Sequence, residues 1–124
     1  MGTARIDQLL EAARTRIQRV EVADLAGEVA AGALVVDLRP EINRRQDGEL
    51  PGAVVVDRLV LEWRLDPTHP SHLPNAYAGR RVILVCNEGY ASSLAAADLV
   101  RLGIADATDL VGGYRAWAAA HPSP

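Results

Sequence analysis

The chemistry available to this chain is concentrated in one short segment. Cys86 is the only cysteine. It stands at the end of the apolar run Val82-Ile83-Leu84-Val85 and opens the stretch Asn87-Glu88-Gly89-Tyr90-Ala91-Ser92, beyond which the sequence turns Ala- and Leu-rich. A thiol placed where a buried strand turns directly into a helix meets the positive end of that helix. A tight turn there aims successive backbone N–H groups at the sulfur. Such a setting stabilises a thiolate, the nucleophilic form of cysteine. Gly89 allows a backbone conformation that a side chain forbids, and Ser92 is suited to cap the helix or to set a hydroxyl beside the sulfur. The plain alternative is a small buried residue at a strand end, the usual state of a free cysteine. The strand–turn–helix context favours the reactive thiol.

The elements that must hold this segment are legible as runs. Ala33-Leu34-Val35-Val36, Ala53-Val54-Val55-Val56 and Val82-Ile83-Leu84-Val85 are short, continuous and largely β-branched. That pattern marks strands covered on both faces, as in a parallel sheet between helices. Thr108-Asp109-Leu110-Val111 is a weaker fourth run, and Val20-Glu21-Val22 reads as a short strand. Helices are expected from about Thr3 to Arg19, with an apolar stripe at Ile6, Leu9, Leu10, Ala13 and Ile17, and again over Leu25–Ala31, Ser92–Leu102 and Tyr114–Ala120. In the first, Asp7 and Glu11 early and Arg14, Arg16 and Arg19 late suit the helix dipole. Gly32, Gly103 and Pro122 are natural stops. The stretch from Arg64 to Arg81, with Pro67, Pro70 and Pro74, reads as a surface loop. Strands alternating with helices predict a three-layer α/β/α domain with a mostly parallel sheet. Ligands of such sheets bind beyond the carboxyl ends of the strands. The runs end in Asp37-Leu38-Arg39, in Asp57-Arg58 and in Cys86, so two carboxylates, two guanidiniums and the thiol are delivered toward one rim.

Composition sets the outer bounds. The 124 residues make one domain, read as a helical extension over 1–19 and a core over 20–120. Hydrophobic residues at 49% and charged residues at 23% are ordinary for a globular domain and argue against disorder. Thirteen arginines, no lysine and sixteen acids leave a net charge of −3, with no basic field to draw nucleic acid or a membrane surface. Five aromatic residues, none of them Phe, make no stacking platform for single-stranded nucleic acid. A lone thiol fits a reducing compartment. With no long apolar run and no signal-like start, the expected location is the cytoplasm.

Four segments together resemble the single-domain rhodaneses, the sulfurtransferase family. They are Val35-Val36-Asp37-Leu38-Arg39, Glu49-Leu50-Pro51-Gly52-Ala53, Val85-Cys86-Asn87-Glu88-Gly89-Tyr90-Ala91-Ser92 and Leu110-Val111-Gly112-Gly113-Tyr114-Arg115-Ala116-Trp117. They occur in the family's order and span about residues 20–120. The resemblance implies a five-stranded parallel sheet flanked by helices. It also implies that Cys86 takes a sulfur atom from a donor, carries it as a persulfide and yields it to a thiol, to cyanide or to a protein acceptor. The residues Asn87 to Ser92 would cradle the persulfide through their N–H groups, and no cofactor or metal is needed. The sequence departs from the common pattern in the loop, where many members carry Arg or Lys, commonly at the place of Ala91. Here Glu88 is the only charged loop residue. A carboxylate beside the sulfur repels an anionic donor and opposes thiolate formation, which counts against thiosulfate as the natural donor. Arg39 and Arg58, at neighbouring strand ends, are the candidates to supply the missing charge. A structural salt bridge, for instance with Glu41, is the stronger reading for Arg39, and Asp37 is assigned an orienting role.

Rival readings are weighed on the same residues. A phosphatase or arsenate reductase needs an Arg after five intervening residues to clamp its oxyanion, and that place holds Ser92. His69 and His72 lie close together in a Pro-rich loop without further ligands and read as solvated side chains, and His121 as part of a frayed tail. A non-catalytic binding or regulatory module and a thiol redox sensor remain alternatives, although a sensor with one cysteine has no internal resolving partner. Trp63 is placed at the pocket mouth, Trp117 in the core, and Tyr90 on the loop as a screen for Cys86.

Overall fold

A computed structural model describes residues 4–122. Four strands, β1 (Leu34–Asp37), β2 (Val54–Val55), β3 (Val82–Val85) and β4 (Ala107–Asp109), form one parallel sheet in the order β2-β1-β3-β4. The register sets Leu34 opposite Val82 and Asp37 opposite Val85. The fifth strand implied by the sequence is reduced to a single parallel bridge between Val20 and Leu110, because the chain enters helix α2 (Val22–Ala30) two residues later.

The continuous apolar runs are explained by two separate cores. Side chains alternate across a strand. Leu34, Val36, Val82 and Leu84 therefore enter one core with Leu61, Leu65, Ala95, Ala96 and Leu99. Val35, Ile83 and Val85 enter the other with Leu25, Leu110 and Tyr114. The first core lies under α4 (Leu61–Leu65) and α5 (Ala91–Arg101), the second under α2 and α6 (Gly113–Ala120). These are the three layers the sequence predicts. The run Ala53–Val56 is the exception, since β2 is a two-residue edge strand and Val55 is exposed.

Other elements depart from the sequence reading for identifiable reasons. Helix α1 (Arg5–Arg14) stops well before Arg19, while Thr3 lies outside the described residues. The chain leaves α1 so that Arg19 and Val20 can run beside β4, where the Val20 N–H donates to Asp109 O at 3.0 Å. Only part of the stripe is buried: Ala13 is, whereas Ile6 and Leu9 are 56% and 58% exposed. Helix α1 rests chiefly on α5, and so needs only a narrow apolar edge. Helix α3 (Glu41–Asp47) and α4, which follows a short 3-10 turn at Arg58–Val60, carry no clear periodicity and are absent from the sequence reading. The Arg64–Arg81 stretch is not wholly superficial. Leu65 and Ala76 are buried, and the Leu73 N–H donates to Arg64 O at 2.8 Å.

The strand order places the site. The chain proceeds outward to β2 from β1, then returns to β3 and proceeds outward the other way to β4. The order reverses between β1 and β3, and the crevice beyond that point is where open parallel sheets bind ligands. Cys86 follows β3 there, and Leu38 and Arg39 follow β1, with the Leu38 N–H donating to Val85 O at 2.8 Å.

Candidate active site

Cys86 is half-buried, and its sulfur faces the loop that follows it. The N–H groups of Gly89 and Ser92 donate to Sγ at 3.2 and 3.3 Å. Ser92 is the second residue of α5, so the sulfur takes the capping place that no side chain fills at Tyr90. Negative charge on Sγ thereby meets two amide dipoles and a helix N-terminus.

The loop is held in this shape by the start of α6. The Tyr114 N–H donates to Cys86 O at 2.8 Å and the Arg115 N–H to Asn87 O at 3.1 Å. Those two carbonyl oxygens are thus turned toward α6. Such close approach requires glycine. Gly113 has φ +62°, and a Cβ there would lie 2.5 Å from Cys86 O and 2.8 Å from Gly89 N. Gly89 has φ +86°, and a Cβ there would lie 2.8 Å from Gly112 N. Segments far apart in the chain interlock through positions that accept no side chain.

A polar chain runs inward from the sulfur. The Cys86 thiol donates to Ser92 Oγ at 3.2 Å, and the Ser92 hydroxyl donates to Asp109 Oδ2 at 2.7 Å. Ser93 Oγ also donates to Asp109 Oδ2 at 2.7 Å. Asp109 is fully buried and paired with Arg19, whose Nε and Nη2 lie 2.8 and 3.2 Å from its two oxygens. A buried carboxylate with an arginine and two hydroxyls is satisfied, which is the condition for its presence in a core. When the thiol proton leaves, the Ser92 hydroxyl is free to turn and donate to the sulfur. Asp109 Oδ2 then keeps Ser93 and Arg19 as donors.

The remaining sequence candidates fall in three places. Glu88, Tyr90 and Ala91 are exposed on the loop, and Asn87 is half-buried with its Oδ1 unpartnered. Tyr90, 60% exposed, lies beneath Arg14, whose guanidinium carbon is 5.7 Å from the ring centroid. Arg39 and Asp37 are buried and engaged with each other. Arg39 Nη2 donates to Asp37 Oδ2 at 2.8 Å and to Gly48 O at 2.9 Å, and the guanidinium lies over the Tyr114 ring at 3.6 Å. Arg39 thus has a structural salt bridge, with Asp37 and not Glu41 as its partner. Arg58 shares a groove of about 550 Å³ with Ala91, Leu94, Leu9 and Arg16, and is held by Glu62 at 3.0 Å and Asp98 at 3.5 Å. Trp63 is exposed, whereas Trp117 packs on the second core. The tail residue His121 is stacked on Trp117 at 4.5 Å, and His69 and His72 bond to backbone of their own loop.

Sequence reasoning missed Asp109, Ser93, Arg14 and Arg19. Asp109 ends β4, but in the run Thr108-Asp109-Leu110-Val111 it stands second, so the rule that ligands gather at strand ends does not single it out from sequence. Arg14 and Arg19 read as charges suited to a helix dipole. No local signal says that a helix outside the sheet reaches the loop.

A half-buried thiol in an amide-lined turn at the switch point of a parallel sheet places the chain among open α/β domains whose site lies at a strand-to-helix loop. Within that class the chain belongs to the rhodanese-like domain family, whose model matches residues 21–120. It is 30% identical over 93 residues, 75% of this chain and 77% of the relative, to the thiosulfate sulfurtransferase GlpE of Stutzerimonas stutzeri (strain A1501). A rhodanese homologue from the extremely thermophilic bacterium Thermus thermophilus superposes with a TM-score of 0.57 at 29% identity, covering 80% of this chain and 99% of that one. A protein of unknown function from Rhodopseudomonas palustris CGA009, described as a possible tyrosine phosphatase, superposes with a TM-score of 0.84 at 27% identity over 98% of this chain and 94% of its own. No helix among the described residues is long and apolar enough to cross a membrane.

Proposed function

We propose that this chain transfers sulfane sulfur through a persulfide on Cys86. The observation that carries the reading is the sulfur itself, which accepts the Gly89 and Ser92 N–H groups while the Ser92 hydroxyl stands 3.2 Å away, backed by buried Asp109. In the first step the Cys86 thiolate attacks the outer sulfur of a donor such as thiosulfate. The new S–S bond forms as the S–SO3 bond breaks, and its electron pair leaves on sulfite. In the second step a thiolate or cyanide attacks the outer persulfide sulfur. Thiocyanate or a new persulfide departs, and the Cys86 thiolate returns. The Gly89 and Ser92 amides hold negative charge in place throughout and require no reorganisation as it develops. No metal or organic cofactor takes part in these steps.

Because Cys86 is the only cysteine, intact-mass spectrometry is unambiguous. Incubation with thiosulfate, mercaptopyruvate or a low-molecular-weight persulfide is expected to add one sulfur to the wild type and none to Cys86→Ser. Cyanide should remove it. No adduct from any donor overturns the proposal and favours a binding module, and an adduct of the intact small thiol favours a redox sensor. Phosphomonoester hydrolysis is less well supported, because Ser92 stands where that chemistry places its oxyanion-binding arginine.

A further inference from the structure

The loop carries Glu88 and no basic residue, yet two guanidiniums grip it from outside residues 21–120. Arg14 Nη2 donates to Gly89 O at 2.8 Å and Arg14 Nε to Ser93 Oγ at 3.1 Å. Arg19 Nη2 donates to the same Gly89 O at 2.9 Å. The two differ in net charge. Arg19 is neutralised by its ion pair with Asp109. Arg14 bonds only to neutral partners, and no carboxylate pairs with it among the described residues. We propose that Arg14 is the positioning residue that supplies the cation the active loop lacks, making the Cys86 site receptive to anionic sulfur donors. This rests on the sulfur-transfer reading above and extends it to donor class.

Two physical arguments support it. The first is reach. Gly89 O lies 2.8 Å from Arg14, and the N–H of the same residue lies 3.2 Å from Sγ, which puts the guanidinium within roughly 10 Å of the sulfur by standard bond lengths. The other charged groups around the loop are more exposed or already paired. Glu88, Arg16 and Arg115 are exposed, Asp37 is paired with Arg39 at the neighbouring strand end, Arg58 is held by Glu62 and Asp98, and Arg101 is exposed and paired with Asp98. The second is orientation. A peptide that follows glycine turns over easily. In a trans peptide C=O and N–H point opposite ways. Clamping Gly89 O on the arginines fixes the Tyr90 N–H on the side away from them and keeps the carbonyl lone pairs turned toward α1.

The test is the ratio of Cys86 alkylation rates with iodoacetate and iodoacetamide, measured at low salt and at a pH where the thiol is ionised. The reagents differ in charge, so the ratio reports local potential and not folding. Arg14→Gln is expected to lower the ratio about two- to fivefold, as removal of one partly screened charge at this distance requires. Arg14→Lys should restore most of the ratio, and Arg5→Gln, at the far end of α1, should leave it at the wild-type value. Arg14→Met, which keeps the aliphatic stem against α5, replaces Arg14→Gln should that variant unfold. An unchanged ratio in Arg14→Gln or in Arg14→Met, or an equal fall in Arg5→Gln, overturns the proposal. Alkylation needs no sulfur transfer, so a wild type that alkylates normally yet takes up no sulfur overturns the functional reading alone.

Discussion

Ser92 carries two duties with one hydroxyl. It receives the thiol proton's hydrogen bond, and it donates to Asp109. Ser92→Ala should slow persulfide formation about ten- to a hundredfold, the loss expected when a charged group gives up one hydrogen bond. Stability should fall by only about 1 kcal/mol, since Ser93 and Arg19 still satisfy Asp109. Stopped-flow persulfidation and thermal melting separate the two effects. At this scale the sequence is informative. The thiol, the glycine and the serine can be read from types and spacing, because each acts within the single segment from Cys86 to Ser92. Asp109 cannot be linked to Ser92 in the same way, since the contact spans 17 positions and needs β3 and β4 to be paired first.

Elements meet at glycines that cannot be exchanged. Gly113→Ala would place a methyl 2.5 Å from Cys86 O at a φ of +62°. It should cost at least about 2 kcal/mol in urea denaturation, and it should disturb the loop. Gly27, inside α2, has nothing within 4 Å of its would-be Cβ and no positive φ. Gly27→Ala should therefore stabilise the fold by about 0.5–1 kcal/mol in the same experiment, through helix propensity alone. The helices with strong periodicity or clear stops are legible in the sequence. Helices α3 and α4, seven and five residues long, are not, because so few turns carry no resolvable period and depend on tertiary contacts for their existence.

Across the whole molecule, ion pairs tie segments that the sheet leaves apart. Arg81, just before β3, holds Glu28 of α2 with Nε and Nη2 at 2.7 and 3.1 Å. The Arg81 hydrogen bond, more than the opposing cost of burial, holds the Glu28 carboxyl below its ordinary value of 4.5. A carboxyl lowered by folding contributes stability above its unfolded value and loses it as the pH falls below that value. Glu28→Gln should thus lower stability at neutral pH by less than about 1 kcal/mol, as for a partly exposed pair. The gap between variant and wild type should close as the pH drops below about 4, followed by melting temperature against pH. The pair of Asp37 and Arg39 plays the same part at the carboxyl end of the strands, joining β1 to Gly48 and to the ring of Tyr114.

Local order along the chain was enough to specify the sheet strands, the longer helices and the thiol at its strand end, since periodicity and turn chemistry are properties of neighbouring residues, while the family was legible only as a resemblance carried by four segments in order. Which charges reach that thiol was decided only when the chain folded. Arg39 and Arg58 follow strand ends, as Cys86 does, but find carboxylates of their own. Arg14 and Arg19, 75 and 70 positions away in sequence, find the Gly89 carbonyl instead. Pairing between distant side chains depends on how helices pack on a sheet, and one-dimensional spacing holds no record of that packing.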